Sequence, residues 1–387
     1  MVFRQGCLTY GEVWETTTEG DAWDRAHEDG HVTATADPAS GPASTDVPPS
    51  GRPRPTMRRR RLVGLAALFA SLVLAVLASI AIGTKVIPFG EVWSALFSPT
   101  GTENDIVVNS LRIPRTVLGV LVGAALGLAG ALVQGFTRNP LGDPGLLGVN
   151  AGAAFFVVVG IYIFGVTSLL GYVWFAFAGA LVASVVVFSL GARGRGGATP
   201  VTLALSGAAV AFLLGALTSS IILIDSATLD AYRFWNVGSL AGRDAAVAGQ
   251  VVWFIVVGAL LALFSAPALN ALSLGEDVAA SLGHSVRRTR TVGILAITLL
   301  AGAATAACGP IVFLGLIVPH VVRAFTGPDY RWLLPASALS GAVLLLGADV
   351  IGRVVARPGE LQVGIVVALI GAPFFIALIR RKKLAQV

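Results

Sequence analysis

The chain has little charge. Only 12% of its 387 residues are Asp, Glu, Lys or Arg, against 55% hydrophobic residues, 46 glycines and a mean hydropathy of +0.82. That balance excludes a soluble globule of this length and leaves a polytopic membrane protein. Lysine is nearly missing: Lys85, Lys382 and Lys383 are all there is, and none follows a glycine. A Gly-Lys-Ser/Thr phosphate loop therefore cannot be written, and nucleotide energy must come from another chain. The two cysteines, Cys7 and Cys308, stand far apart with no metal-ligand or lipobox neighbours, so no disulfide framework is implied. Four histidines, at 27, 31, 284 and 320, supply no catalytic or metal cluster and argue against a membrane enzyme. Ionisable groups are also scarce inside the apolar runs, whereas an ion-coupled secondary carrier needs them near the bilayer midplane.

The charge that is present is unevenly placed. Residues 1–56 hold four arginines against nine acids, a net −5, while the rest carries 23 basic against 12 acidic residues, a net +11. The Pro-, Ser- and Gly-rich stretch 37–56 has almost nothing to bury and reads as disordered, and no apolar h-region precedes it. Met57, the second of only two methionines, stands directly before Arg58–Arg61 and the first apolar run. Two readings of 1–56 stay open: a disordered tail, or an over-extended gene start with Met57 as the natural one.

From there, about ten apolar runs recur, near 62–82, 116–135, 151–169, 172–191, 201–223, 248–267, 291–307, 311–325, 333–348 and 363–379. The fold expected is all-α and polytopic, with about ten transmembrane helices over 57–387. Runs 311–325 and 333–348 are short for a slab of about 30 Å and are expected to be interrupted and buried in protein. With both termini on one side, sixteen basic residues fall in the inner loops and ends and seven outside, which puts both termini in the cytoplasm of a plasma or inner membrane.

The most informative stretch runs from Arg112 to Ala153. Arg112 and Arg115 share a helical face, Pro114 sits where a helix start tolerates it, and an uncharged span follows. Within it Gly119, Gly123 and Gly127 recur every fourth residue, with Gly130 a turn later, so one face is a groove for neighbouring backbones. Gln134 reads as an interhelical hydrogen bond. The span ends at Asn139-Pro140, in a turn that two prolines and a glycine enforce.

This pattern resembles the FecCD-type permeases, the membrane subunits of ABC importers for ferric siderophores, haem and cobalamin. The resemblance rests on Arg112, Pro114, Arg115, Gly123, Gly130, Gln134, Asn139, Pro140, Leu141, Pro144, Gly148, Gly152 and Ala153. It continues through Gly309, Ile311, Phe313, Gly315, Leu316, Pro319, His320 and Arg323 to Asp349, Arg353 and Gly371, and covers 57–387. Gln362 departs from the family's proline, so the bend before the last span is expected to differ.

The resemblance implies a type II ABC importer permease: two permease subunits, identical or not, around an alternating-access path, a cytoplasmic ATPase pair that uses ATP and Mg, and an extracytoplasmic binding protein. This chain would bind no cofactor or metal, catalyse nothing, touch no nucleic acid and sit in membrane lipid. Ferric siderophore is the expected cargo, with haem or cobalamin as alternatives. Arg112, Arg115 and Arg353 read from pattern alone as lipid-phosphate or loop contacts; the resemblance makes them receivers of carboxylates on the binding protein. Charge reversal at Arg112 is then expected to abolish transport without loss of the protein. Likewise 269–290 is by pattern a short surface helix with an amphipathic face of Leu272, Leu274, Val278 and Leu282, and by resemblance, through Leu272, Leu274, Gly275, Glu276, Ala279, Leu282 and Gly283, the coupling segment that enters the ATPase. His320 reads as a packing residue, and Asp349 as a partner of Arg353 one turn away.

Overall fold

A computed structural model describes residues 55–193 and 199–380. The expectation of a disordered or spurious 1–56 falls almost wholly outside them, and residues 55 and 56 already open the first helix. Arg195, Arg381, Lys382 and Lys383, used in the charge count, also lie outside.

All regular structure among the described residues is helical. Helix α1 spans Pro55–Ala81, and short α2 (Phe89–Phe97) and α3 (Glu103–Ile106) follow it. A π-helical turn, Val107–Arg112, leads into α4 (Ile113–Thr137). After a 3-10 turn at Pro144–Leu147 come α5 (Val149–Tyr162), α6 (Leu169–Ala192), α7 (Pro200–Ile224), α8 (Ser226–Asn236) and α9 (Ala245–Ser273). Short α10 (Glu276–Ser281) precedes α11 (Val286–Cys308), α12 (Leu314–Thr326), α13 (Tyr330–Val355) and α14 (Val363–Arg380).

Seven helices are long and apolar enough to cross a bilayer, and α5, α12 and α14 are shorter apolar helices. Together they account for each of the ten expected runs. The distribution of short ones differs from expectation. The run at 333–348 belongs to a 26-residue helix, because Pro335 lies in its second turn rather than breaking it. The short pair is α5, 14 residues, and α12, 13 residues, or about 20 Å each at 1.5 Å per residue. Neither could span lipid alone, and both are packed against longer neighbours.

Helix α4 is the axis. Every residue from Ala125 to Gln134 is buried, so this stretch has no lipid-facing side. What lets it sit there is the absence of side chains. A Cβ on Gly123 would meet the backbone of Gly341 and Ala342 on α13; on Gly127, the carbonyl of Ser337; on Gly130, the carbonyl of Gly315 on α12. The Gly315 carbonyl is also the one whose helical donor Pro319 lacks, so its backbone is free to lean on α4. The backbones of two helices, α12 and α13, thus close on one glycine row, as small-residue packing in lipid requires. Opposite α4, residues Leu300–Cys308 of α11 are buried throughout, mostly as alanines.

Candidate functional site

The bundle has two ends of different chemistry. At the end where α4 begins, α1 stops at Ala81 and leaves carbonyls with no helical donor. Two arginines supply the donors. Arg112 gives Nη1 to the Ile80 and Ala81 carbonyls at 2.9 and 2.8 Å and Nη2 to the Lys85 carbonyl at 2.6 Å. Arg353 gives Nη1 to the Ser79 and Ile82 carbonyls at 2.8 and 2.9 Å, and Nη2 to the Ser79 hydroxyl and Asp349 Oδ2 at 2.8 and 2.7 Å. Arg115 forks onto Asp349 Oδ1 at 2.7 Å through Nη2 and onto Glu360 Oε2 at 2.7 Å through Nη1. Asp349 is wholly buried and holds both arginines.

This geometry differs from the sequence expectation of three outward-facing cations. Arg112 and Arg353 are buried and committed to the helix they cap, and Arg115 keeps 12% of its side chain exposed. The reason is local: α1 ends in bare carbonyls inside the ring of helices, and a guanidinium with five N–H donors satisfies several at once. The expected pairing of Asp349 with Arg353 is present. Glu360 opens the stretch 360–364 through which the family resemblance continues, but the sequence assigned it no role.

Beside this cluster lies a cavity of about 380 Å³, lined by Lys85, Arg112, Arg115, Arg243, Asp244, Arg353 and Glu360 together with small loop residues and part of the π-helical turn. A second, more open recess of about 670 Å³ runs between α5, α7, α8 and α14. Asn150, Thr218, Ser219, Tyr232 and Asn236 face it among apolar and small residues. Sequence reasoning found none of these five: Asn150 stands just before one apolar run, Thr218 and Ser219 lie inside another, and Tyr232 and Asn236 are on α8, outside the apolar runs.

At the other end, Gln134 donates from Nε2 to the Leu316 carbonyl at 3.1 Å, the interhelical bond expected of it. Helix α4 then terminates with Arg138 in the left-handed region, φ 47°, a conformation that costs a non-glycine residue about 1–2 kcal/mol. Its guanidinium offsets this by donating to the Leu272 carbonyl at 2.7 Å. The next residue, Asn139, accepts the Leu141 N–H on Oδ1 at 2.9 Å and shapes the turn through Pro140. The Asn139-Pro140 turn is therefore tied to the stretch that follows α9.

That stretch is turned at both ends by glycines in backbone regions that other residues rarely adopt, Gly275 at φ 126° and Gly283 at φ 82°. Between them α10 has two faces. Ala271, Leu272 and Ala279 are buried with Phe136 and Val286 packed on them, and Arg290 ties to Glu276 at 2.5 Å across the segment. Leu274 and Leu282 are 67% and 61% exposed, with Val278 exposed between them. The sequence reading put Leu272 with Leu274, Val278 and Leu282 on one face; the structure turns Leu272 inward and leaves the other three as an apolar patch. His320 packs edge-on to Phe374, with ring centroids 6.0 Å apart, as expected of a packing residue. Among the described residues no cluster of His, Cys, Asp or Glu is placed to hold a metal ion.

A membrane bundle threaded on a buried glycine helix, with a glycine-hinged apolar patch at one end and an arginine-capped mouth at the other, is the build of an ABC-type transport permease. The chain belongs to the FecCD transport family, which matches residues 71–381. It is 47% identical over 322 residues to the ferric enterobactin transport system permease protein FepD of Escherichia coli (strain K12), covering 83% of this chain and 96% of the relative. It is 40% identical to the iron(3+)-hydroxamate import system permease protein FhuB of Bacillus subtilis (strain 168), covering 83% and 84%. A solved structure described as an inward-facing conformation of a metal-chelate type ABC transporter superposes with a TM-score of 0.72 at 29% identity, over 83% of this chain and 99% of the other. The protein is a multi-pass membrane permease and not an enzyme.

Proposed function

We propose that this permease passes ferric siderophores into the cytoplasm by alternating access, with both termini cytoplasmic. The arginine-capped mouth then faces outward and the Asn139-Pro140 turn and 269–290 face the cytosol. The single observation that carries the coupling half of this reading is the exposed patch Leu274, Val278 and Leu282, held on a hinged segment whose other face is packed onto the core. Three apolar side chains projecting into cytosol next to a rigid frame suit a cleft on a cytoplasmic ATPase, which would bind the ATP and Mg. The cargo half is supported by the 47% identity to a ferric enterobactin permease.

The open recess between α5, α7, α8 and α14 suits one wall of a path that a second permease subunit, identical or related, would complete. Polar groups such as Asn150, Tyr232 and Asn236 are costly toward lipid but useful toward water and a passing chelate. An extracytoplasmic binding protein would deliver cargo to the mouth, where Arg112, Arg115 and Arg353 frame the docking surface and Arg115 is the one with exposed area. The test is uptake by iron-starved cells lacking the gene, comparing radiolabelled ferric siderophore, haem and cobalamin. Loss of ferric siderophore uptake alone, restored by the chain started from Met57, supports the reading. A deficit confined to haem or cobalamin replaces the cargo.

A further inference from the structure

Helix α2 is too short to cross a bilayer and has one side too apolar for water. Its nine residues, Phe89–Phe97, are about 14 Å long at 1.5 Å per residue, under half of a hydrocarbon core of about 30 Å. Its surface divides into three. Val92 and Ala95 are buried with Ile87 and Val108, and Ile80 at the end of α1 and Ile113 at the start of α4 pack on them, so α2 rests against the ends of two spans. Glu91 and Ser94 turn to a surface recess shared with Lys85, Glu103, Asn104 and Asp105, which is the side for water. The third side carries Phe89, Trp93 and Phe97, spaced i, i+4 and i+8, each more than half exposed. The Trp93 and Phe97 rings lie with centroids 4.5 Å apart, so the three make one aromatic stripe.

What covers the stripe follows from its neighbours. Of residues 57–81 of α1 only Ser79 is buried, so this span stands at the rim of the bundle in lipid. Its exposed Leu74 and Leu77 lead through Ile82 and Val86, also exposed, to Phe89, while Lys85 in the same stretch turns to Glu103 at 2.9 Å. The lipid-facing surface of α1 thus continues onto α2. A Phe-Trp-Phe face with no charge and a single N–H suits the headgroup boundary, with the rings toward the acyl chains and the indole N–H toward the polar layer. The charges that a soluble partner would read lie elsewhere, around the mouth cavity and in the recess behind α2.

We propose that α2 is an in-plane membrane anchor, with Phe89, Trp93 and Phe97 sunk into the headgroup and upper acyl region of one leaflet. By holding α2 there, the bilayer also sets the depth of the α1 end on which α2 packs and which Arg112 and Arg353 cap. In the orientation proposed above this is the outer leaflet, but the anchor itself does not depend on that reading.

The test uses the complete importer in lipid nanodiscs, with Cys7→Ser in the full chain and a bimane fluorophore attached at Trp93→Cys or, as the water-side control, at Glu91→Cys. Cys308 is buried, and the importer without an added cysteine gives the labelling background. Bimane at position 93 is expected to lose at least half of its emission to phosphatidylcholine brominated near the top of its acyl chains and little to aqueous iodide, with no change when the binding protein is added. Bimane at position 91 should show the reverse preference. A probe at 93 that brominated lipid does not quench overturns the anchor, whether iodide reaches it, the binding protein shields it or neither does. If Trp93→Cys does not assemble, Phe97→Cys is read in the same way.

Discussion

Asp349 and Arg115 are 234 positions apart in sequence and joined by a 2.7 Å ion pair between Oδ1 and Nη2, with the carboxylate fully buried. Through the other oxygen Asp349 also holds Arg353 at 2.7 Å. One carboxylate therefore neutralises two arginines, and through Arg353 it fixes the end of α1 as well.

Removing that carboxylate strands the buried Arg353 and leaves Arg115 with Glu360 alone. Asp349→Ala is expected to destabilise the protein by about 3–5 kcal/mol, the usual penalty for breaking one side of a buried pair. Thermal unfolding in detergent would show a large fall in melting temperature, and membrane levels would drop. A melting temperature equal to wild type would mean that the pairs contribute nothing.

Charge reversal at Arg112 should now act through folding. The sequence alone suggested lost transport with normal protein levels. With the side chain buried on the carbonyls of Ile80, Ala81 and Lys85, Arg112→Glu sets a carboxylate against three acceptors. Immunoblots of membranes should show depleted protein; normal levels with no transport would restore the simpler docking role.

The glycine row should be sharply position-dependent. Gly127→Val drives a branched side chain into the Ser337 carbonyl, an overpacking that costs at least about 1–3 kcal/mol. Gly249 on α9 has nothing within 4 Å of a Cβ, so Gly249→Ala is expected to be neutral or to gain up to about 1 kcal/mol of helix propensity. Comparing melting temperatures of the two variants tests whether backbone contact, rather than glycine as such, is what matters.

The exposed patch predicts loss of coupling without loss of stability. Val278→Glu should leave melting temperature and membrane level unchanged, since the side chain is exposed, while transport-linked ATP hydrolysis by the assembled importer falls at least tenfold. Ala279→Leu, one residue on but buried, should instead lower the melting temperature. If both variants behave alike, the division of the segment into two faces is wrong.

Much of this was legible because lipid imposes simple rules. An apolar run must be a helix, so the ten expected runs all reappear, and the Gly123, Gly127 and Gly130 spacing marked the helix that backbones approach. The Asn139-Pro140 turn and the glycine-bounded segment near 275–283 were equally visible, because proline and positive-φ glycine act locally. Three features were hidden. Leu272 parts from Leu274 because the two stand two residues apart at the end of α9, where i and i+2 do not share a face, and Gly275 then resets the phase before Val278 and Leu282. The recess polar groups come from three separate helices, α5, α7 and α8. Arg243 looked like one more exterior cation and is buried.

The sequence by itself determined the class, the spans and the family, since hydropathy and short motifs are properties of neighbouring residues. Only the tertiary structure decided what each arginine does. A guanidinium is satisfied by whatever acceptors surround it, and those come from distant chain: the end of α1 for Arg112 and Arg353, and α13 and Glu360 for Arg115.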